Sequence, residues 1–135
     1  MAFRYLSTSW LEEARRRLEA SPEFLAAAMA MEASMLNVIT EAAGGSTVYL
    51  YYRFSKGVVQ EVAVGTDEAI GKKPAELTST GTYDTFKAIN QGKLGVTAAV
   101  LSRKIRLSGN VGRALSLVKP INAMNLVLRN IPTEY

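Results

Sequence analysis

Cysteine and histidine are both missing from this 135-residue chain. Without cysteine there is no disulfide, no thiol nucleophile and no zinc-thiolate or iron–sulfur site. Without histidine, the commonest general base and the commonest metal ligand are gone as well. An active site would have to be assembled from carboxylates, lysine, tyrosine or serine. The candidates are Asp84 or Glu76 with Tyr83 and a lysine, and they would need a strongly perturbed carboxylate inside a cleft. The expectation is no catalytic residue, no metal and no cofactor. Long hydrophobic runs are scarce too: the longest, Phe24 to Met31, falls far short of the ~20 residues that span a bilayer. The start, Met1-Ala2-Phe3-Arg4-Tyr5, lacks the apolar stretch and cleavage site of a secretory signal, and the end, Pro132-Thr133-Glu134-Tyr135, matches no peroxisomal or endoplasmic-reticulum address. A cytoplasmic protein is expected.

What is present is apolar: 48% of the residues are hydrophobic, which sets the chain apart from disordered and fibrous sequences. At this length one domain over residues 1–135 is expected, burying roughly 70% of the surface of its unfolded chain. The net charge of +4 is unevenly spread. Residues 1–67 carry six Lys/Arg against eight Asp/Glu, and residues 68–135 carry ten against four. A basic half attracts anionic headgroups, acidic ligands or nucleic acid, and it equally serves as plain solvated surface.

Two helices open the chain. Ser9-Trp10-Leu11-Glu12 fits a capping box, and Leu11, Ala14 and Leu18 recur at helical spacing with Arg15-Arg16-Arg17 on the solvated side. Ser21 and Pro22 suit the N-cap and first position of a second helix running through the alanines towards Met31. From Met35 the period becomes two. Segments around Leu36–Thr40, Val48–Phe54 and Val58–Val64, separated by Gly44-Gly45 and Lys56-Gly57, read as an antiparallel meander with helices on one face and solvent on the other. Gly65 to Pro74 reads as a loop with Lys72-Lys73 exposed, and Ala75 to Thr80 as a fourth strand. A helix opens at Gly81 or Thr82 and ends at Gly92, its Phe86 and Ile89 pointing inward. Leu94 to Leu101 is a further apolar helical stretch, and Arg103 to Ser108 a fifth strand. Asn110 suits the cap of a helix from Val111; Pro120 then punctuates, and a last helix carries Ile121, Met124, Leu128 and Ile131.

Phe86, Ile89, Gly92-Lys93-Leu94, then Lys104-Ile105-Arg106-Leu107 and Gly109-Asn110-Val111-Gly112 with Leu115, in that order, resemble the sterol carrier protein type 2 domain family. The likeness is densest over residues 75–118, and the upstream order of two helices and a meander agrees with it. It implies an α+β sandwich in which helices cover one face of a largely antiparallel five-stranded sheet. It further implies an apolar tunnel between the layers for fatty acids, acyl-CoA thioesters, sterols or other lipids, with no catalytic centre. The chain departs from the eukaryotic members in lacking their peroxisomal C-terminal signal, which suits a free-standing prokaryotic-type protein.

On that reading the tunnel is lined by Phe86, Ile89, Leu94, Val100, Leu101, Ile105, Leu107, Leu115, Val118, Ile121, Met124 and Leu128, with Lys93, Arg103 and Arg113 as headgroup candidates at its mouth. Residue by residue, plain core packing is the commoner explanation of such periodic apolar stripes, and only the resemblance raises the tunnel above it. The expected partners are a hydrophobic small molecule and, transiently, a membrane surface. An exposed sheet edge permits a homodimer without demanding one. A dimerisation or substrate-presenting module for a lipid-metabolising enzyme is the alternative. A weaker alternative is a nucleic-acid binder using the basic half and a stacking platform of Tyr49, Tyr51, Tyr52 and Arg53, although nucleic acid is not the expected partner.

Overall fold

The computed structural model describes residues 2–135, and its period-two segments assemble into a five-stranded sheet of order β4-β3-β2-β5-β6. β2 (Glu32–Thr40), β3 (Val48–Ser55) and β4 (Val58–Gly65) form the antiparallel meander expected from their alternation and short glycine turns. β5 (Leu77–Thr82) lies parallel to β2, and β6 (Arg106–Gly109) returns antiparallel to β5. One parallel pair therefore sits inside an otherwise antiparallel sheet. The fifth strand is shorter than its apolar alternation suggested, because Arg103 turns left-handed (φ 63°) and the chain pairs only from Arg106.

A parallel neighbour requires a crossover. The chain leaves β4 at one edge and reaches β5 on the far side of β2 through residues 66–76. This segment was expected to be loop, yet Asp67 caps a short helix within it, α3 (Glu68–Gly71), by accepting from the Ala69 amide. α3 packs on β3, and the Tyr51 hydroxyl donates to the Pro74 carbonyl at 3.1 Å. Tyr51 and Leu36 are buried as a result, so the outer sheet face is partly covered and not left to solvent as expected. Lys73 is likewise drawn in, to the Glu61 carboxylate at 2.5 Å.

On the inner face the strand register lines up two rows, Val62-Tyr52-Met35-Leu77 and Val64-Leu50-Asn37-Ser79-Leu107. Over them lie α1 (Thr8–Glu19), α2 (Pro22–Ala28), α4 (Tyr83–Asn90), α5 (Val96–Leu101) and α6 (Ala114–Arg129). Ser21 and Thr82 cap α2 and α4 as expected, accepting from the Phe24 and Thr85 amides. α1 is capped by Ser7, not Ser9: the Ser7 hydroxyl accepts from the Trp10 amide at 3.1 Å, which starts the helix two residues early and turns Trp10 fully inward. Asn110 makes no side-chain cap; it leads into a 3₁₀ turn, Val111–Arg113, that feeds α6. Pro120 does not punctuate but lies within α6, buried. It forfeits one helical hydrogen bond, while its ring adds to the apolar face that the helix turns inward. The two ends of the chain meet in a small parallel pair, β1 (Phe3–Arg4) with β7 (Thr133–Glu134), which no local pattern announced.

The arginine run of α1 is more than a solvated face. Glu13 accepts from both Arg16 and Arg17, at 2.5 and 2.6 Å, and these two guanidinium groups hold its carboxyl down at about 2. Arg17 also reaches the Asn130 carbonyl (3.1 Å), and Arg15 the Val59 carbonyl (3.3 Å). α1 is thereby tied to the end of α6 on one side and to edge strand β4 on the other.

Of the two glycines around Asn110, only Gly109 is irreplaceable. Its φ of +89° is left-handed, and a Cβ there would lie 2.5 Å from the Glu76 carbonyl oxygen, which belongs to backbone and cannot swing aside. Gly112 has no neighbour closer than 3.8 Å to that position. Gly109→Ala is expected to destabilise by about 2–4 kcal/mol and Gly112→Ala by less than about 0.5 kcal/mol in urea denaturation. Equal losses would contradict this assignment.

Candidate ligand-binding cavity

Between the inner sheet face and the helices the apolar side chains do not fill the whole layer. α1 presents Trp10, Leu11, Ala14 and Leu18, with the small Ala14 at the middle of its stripe. α5 contributes Val96 and Val100, and α6 contributes Val118, Ile121, Met124 and Leu128. These line a cavity of about 280 Å³ whose floor is the pair of sheet rows described above. That is close to the lower bound of ~300 Å³ for ligand pockets and well above the ~150 Å³ void that admits benzene.

One end of the cavity is walled by buried rings. Tyr5 packs edge-on against Trp10, with centroids 5.0 Å apart, and its hydroxyl approaches the Phe86 carbonyl at 3.4 Å. Tyr52 and Phe54, themselves edge-to-face at 5.6 Å, continue that wall along β3. The other end opens at the C-terminus of α5 and the N-terminus of α6. Leu101 and Leu115 belong to the lining there, yet they are 78% and 87% exposed, so the apolar wall runs out to solvent between them.

Every lining residue expected from sequence borders this cavity except Leu94. Leu94 lines a neighbouring recess of about 230 Å³, which shares Ile89, Val96, Asn122 and Asn125 with the cavity wall. The headgroup candidates are placed elsewhere. Lys93 and Arg103 are exposed and outside the wall. Arg113 is engaged by the Glu76 carboxylate and donates to the Glu32 carbonyl at 2.9 Å. Among the described residues the one charged side chain in the wall is Arg15, on the α1 side. Glu76 and Asp84 border no cavity, the first paired with Arg113 and the second exposed on the first turn of α4. The strand tyrosines form no stacking platform: Tyr51 is buried under the crossover, Tyr52 faces the cavity, and Tyr49 packs over Gly71.

Sequence reasoning missed the α1 wall and the polar members of the floor, Asn37, Ser79 and Tyr52. A faint signal existed in Asn37, which interrupts the inward series Ala33, Met35, Ile39.

Burial pushes the Tyr52 hydroxyl up to about 12, with the adjacent Asn37 side chain pulling the other way. Burial, reinforced by Tyr135, Tyr83 and Tyr52, also raises Tyr5. In the unfolded chain both ionise near pH ~10. Above that pH the folded protein holds protons that the unfolded chain has lost. These two groups should leave stability unchanged below about pH 10 and then lower it by about 1.4 kcal/mol per pH unit each. Urea denaturation across that range should give a shallower fall for Tyr52→Phe than for wild type. Identical slopes would mean that Tyr52 is not buried.

No protein-family model and no curated protein matches the chain by sequence. Solved structures do match. A crystal structure of sterol carrier protein 2 superposes with a TM-score of 0.83 at 15% identity, covering 95% of this chain and 99% of that one. A conserved hypothetical protein from Thermus thermophilus gives 0.83 at 14%, covering 99% and 94%. Palmitated SCP2L2 from Aedes aegypti gives 0.58 at 18%, covering 93% and 96%. Among the described residues no helix is long and apolar enough to cross a membrane. These superpositions, over nearly the whole length of each chain, give this chain the fold of sterol carrier protein 2.

Proposed function

We propose that the protein binds hydrophobic small molecules without transforming them, and carries them within the cytoplasm. The observation that carries this reading is the apolar cavity of about 280 Å³ with an exposed apolar mouth. Its occupant would be a fatty acid, a fatty acyl thioester, a sterol-like molecule or another lipid. The palmitated state of SCP2L2 from Aedes aegypti, a protein of the same fold, supports a long acyl chain as one such guest. Each buried methylene contributes ~0.8 kcal/mol, so about ten of them offer roughly 8 kcal/mol before ordering costs, which makes apolar burial the main source of affinity.

Delivery requires the mouth to meet a lipid surface. Leu101, Leu115 and Val111 are 78%, 87% and 48% exposed, and Arg103, Lys104 and Arg106 follow Leu101 along the chain. Exposed apolar side chains beside cations suit transient contact with an anionic membrane. Arg103, though outside the wall, lies two residues beyond Leu101 and is free to meet a headgroup that projects from the opening.

Delipidated protein titrated with a fluorescent fatty acid should show saturable binding at micromolar affinity or tighter. Ala14→Phe, which places a ring in the middle of the cavity, should weaken that binding by at least about tenfold without lowering the unfolding midpoint. Absence of saturable binding across fatty acids, acyl-CoA and sterols in the wild-type protein would overturn the proposal.

A further inference from the structure

The cavity floor is not uniformly greasy. Asn37 on β2 and Ser79 on β5 are register partners at the centre of the inner face, flanked in their row by Leu50 and Leu107. Tyr52 sits diagonally across on β3, close enough for the Asn37 side chain to act on its hydroxyl. All three side chains border the cavity. Two polar residues side by side at the middle of an inner sheet face forgo apolar burial. Asn, Ser and Tyr together offer more donors and acceptors than they can satisfy among themselves. No charge accompanies them: Arg15, the charged residue of the wall, already donates to Glu19 and to the Val59 carbonyl.

We infer that the Asn37–Ser79–Tyr52 patch is an internal recognition site for a neutral oxygen function, a hydroxyl or carbonyl carried on the buried part of the ligand. The inference rests on the lipid-binding reading and narrows it. The preferred guests are oxygenated aliphatic or alicyclic molecules, not those that insert a bare hydrocarbon tail. A carboxylate or phosphate would find no cation at this depth and would stay at the mouth. Neutral oxygen would accept from Asn37, Ser79 or Tyr52 and, as a hydroxyl, donate to the Asn37 carbonyl oxygen or to Ser79.

Calorimetric titration of delipidated protein with dodecanoic, tetradecanoic and hexadecanoic acids, each with and without a terminal hydroxyl, tests this. The carboxylate holds one end at the mouth while the hydroxyl probes successive depths. A plain apolar cavity penalises the buried hydroxyl at every length. The patch predicts that at one length or more the hydroxy acid binds as tightly as its parent or tighter. In Asn37→Leu and in Ser79→Ala the hydroxy acid at that length should lose about tenfold, while the parent acid loses nothing or gains. Two separate substitutions guard against one that fails to fold. If the hydroxyl weakens binding by the same factor at every length in wild type and variants, the patch merely holds water and this inference falls while the lipid-binding reading stands. If no acid of either kind binds, both fall.

Discussion

An apolar layer in water closes up unless something holds its walls apart, and the whole architecture of this chain follows from walls that are held. Interiors ordinarily pack as densely as organic crystals. Here α1 is tied at both edges, by Arg15 to the Val59 carbonyl and by Arg17 to the Asn130 carbonyl. It therefore lies as a beam over the floor and does not sink into it. The buried Tyr5, Trp10 and Phe86 fill one end of the layer. The β1–β7 pair fixes the segment beyond α6 against the segment before α1. Between these supports the side chains on the helical side are short or aliphatic, and they leave the gap.

Such a gap carries an energetic consequence. At about 24 cal/mol per Å³, a dry void of about 280 Å³ costs roughly 7 kcal/mol, comparable with the whole net stability of a domain, about 5–15 kcal/mol. Polar residues on the floor lessen that cost by letting water occupy part of the space. On the proposed function a guest would offset the remainder, and occupancy and folding stability would be linked through the same volume. A polar rim between Leu101 and Leu115 would have to be desolvated by every chain that entered, whereas the apolar one there would not.

The elements themselves were largely legible. Alternation announced β2, β3 and β4, and spacing announced α1, α4 and the apolar face of α6, because these signals are local. What depends on distant parts of the chain was not. The parallel pairing of β2 with β5 is a property of the crossover, and the crossover in turn buries Tyr51 on a face that alternation alone assigns to water. The arginines at 15 and 17 read as solvated because their carbonyl partners lie far away in sequence. Two leucines near the start of α6 illustrate the limit for the cavity. Leu115 is 87% exposed and Leu117 only 2%, although both belong to the same apolar run and only their angle around the helix tells them apart. Composition likewise made the sheet floor look wholly apolar, and Asn37 acquires meaning only when Ser79 is seen beside it.

The central claim is that the space between sheet and helices admits an aliphatic guest. Methyl NMR of the delipidated protein with a fatty acid carrying a nitroxide near its tail reads that space directly. The account predicts that the methyl groups of Leu77, Val118, Met124 and Leu128, which border the cavity, broaden more strongly than those of Leu36 beneath the crossover. Broadening confined to exposed methyls such as those of Leu126 and Val58, with the interior set untouched, would contradict it.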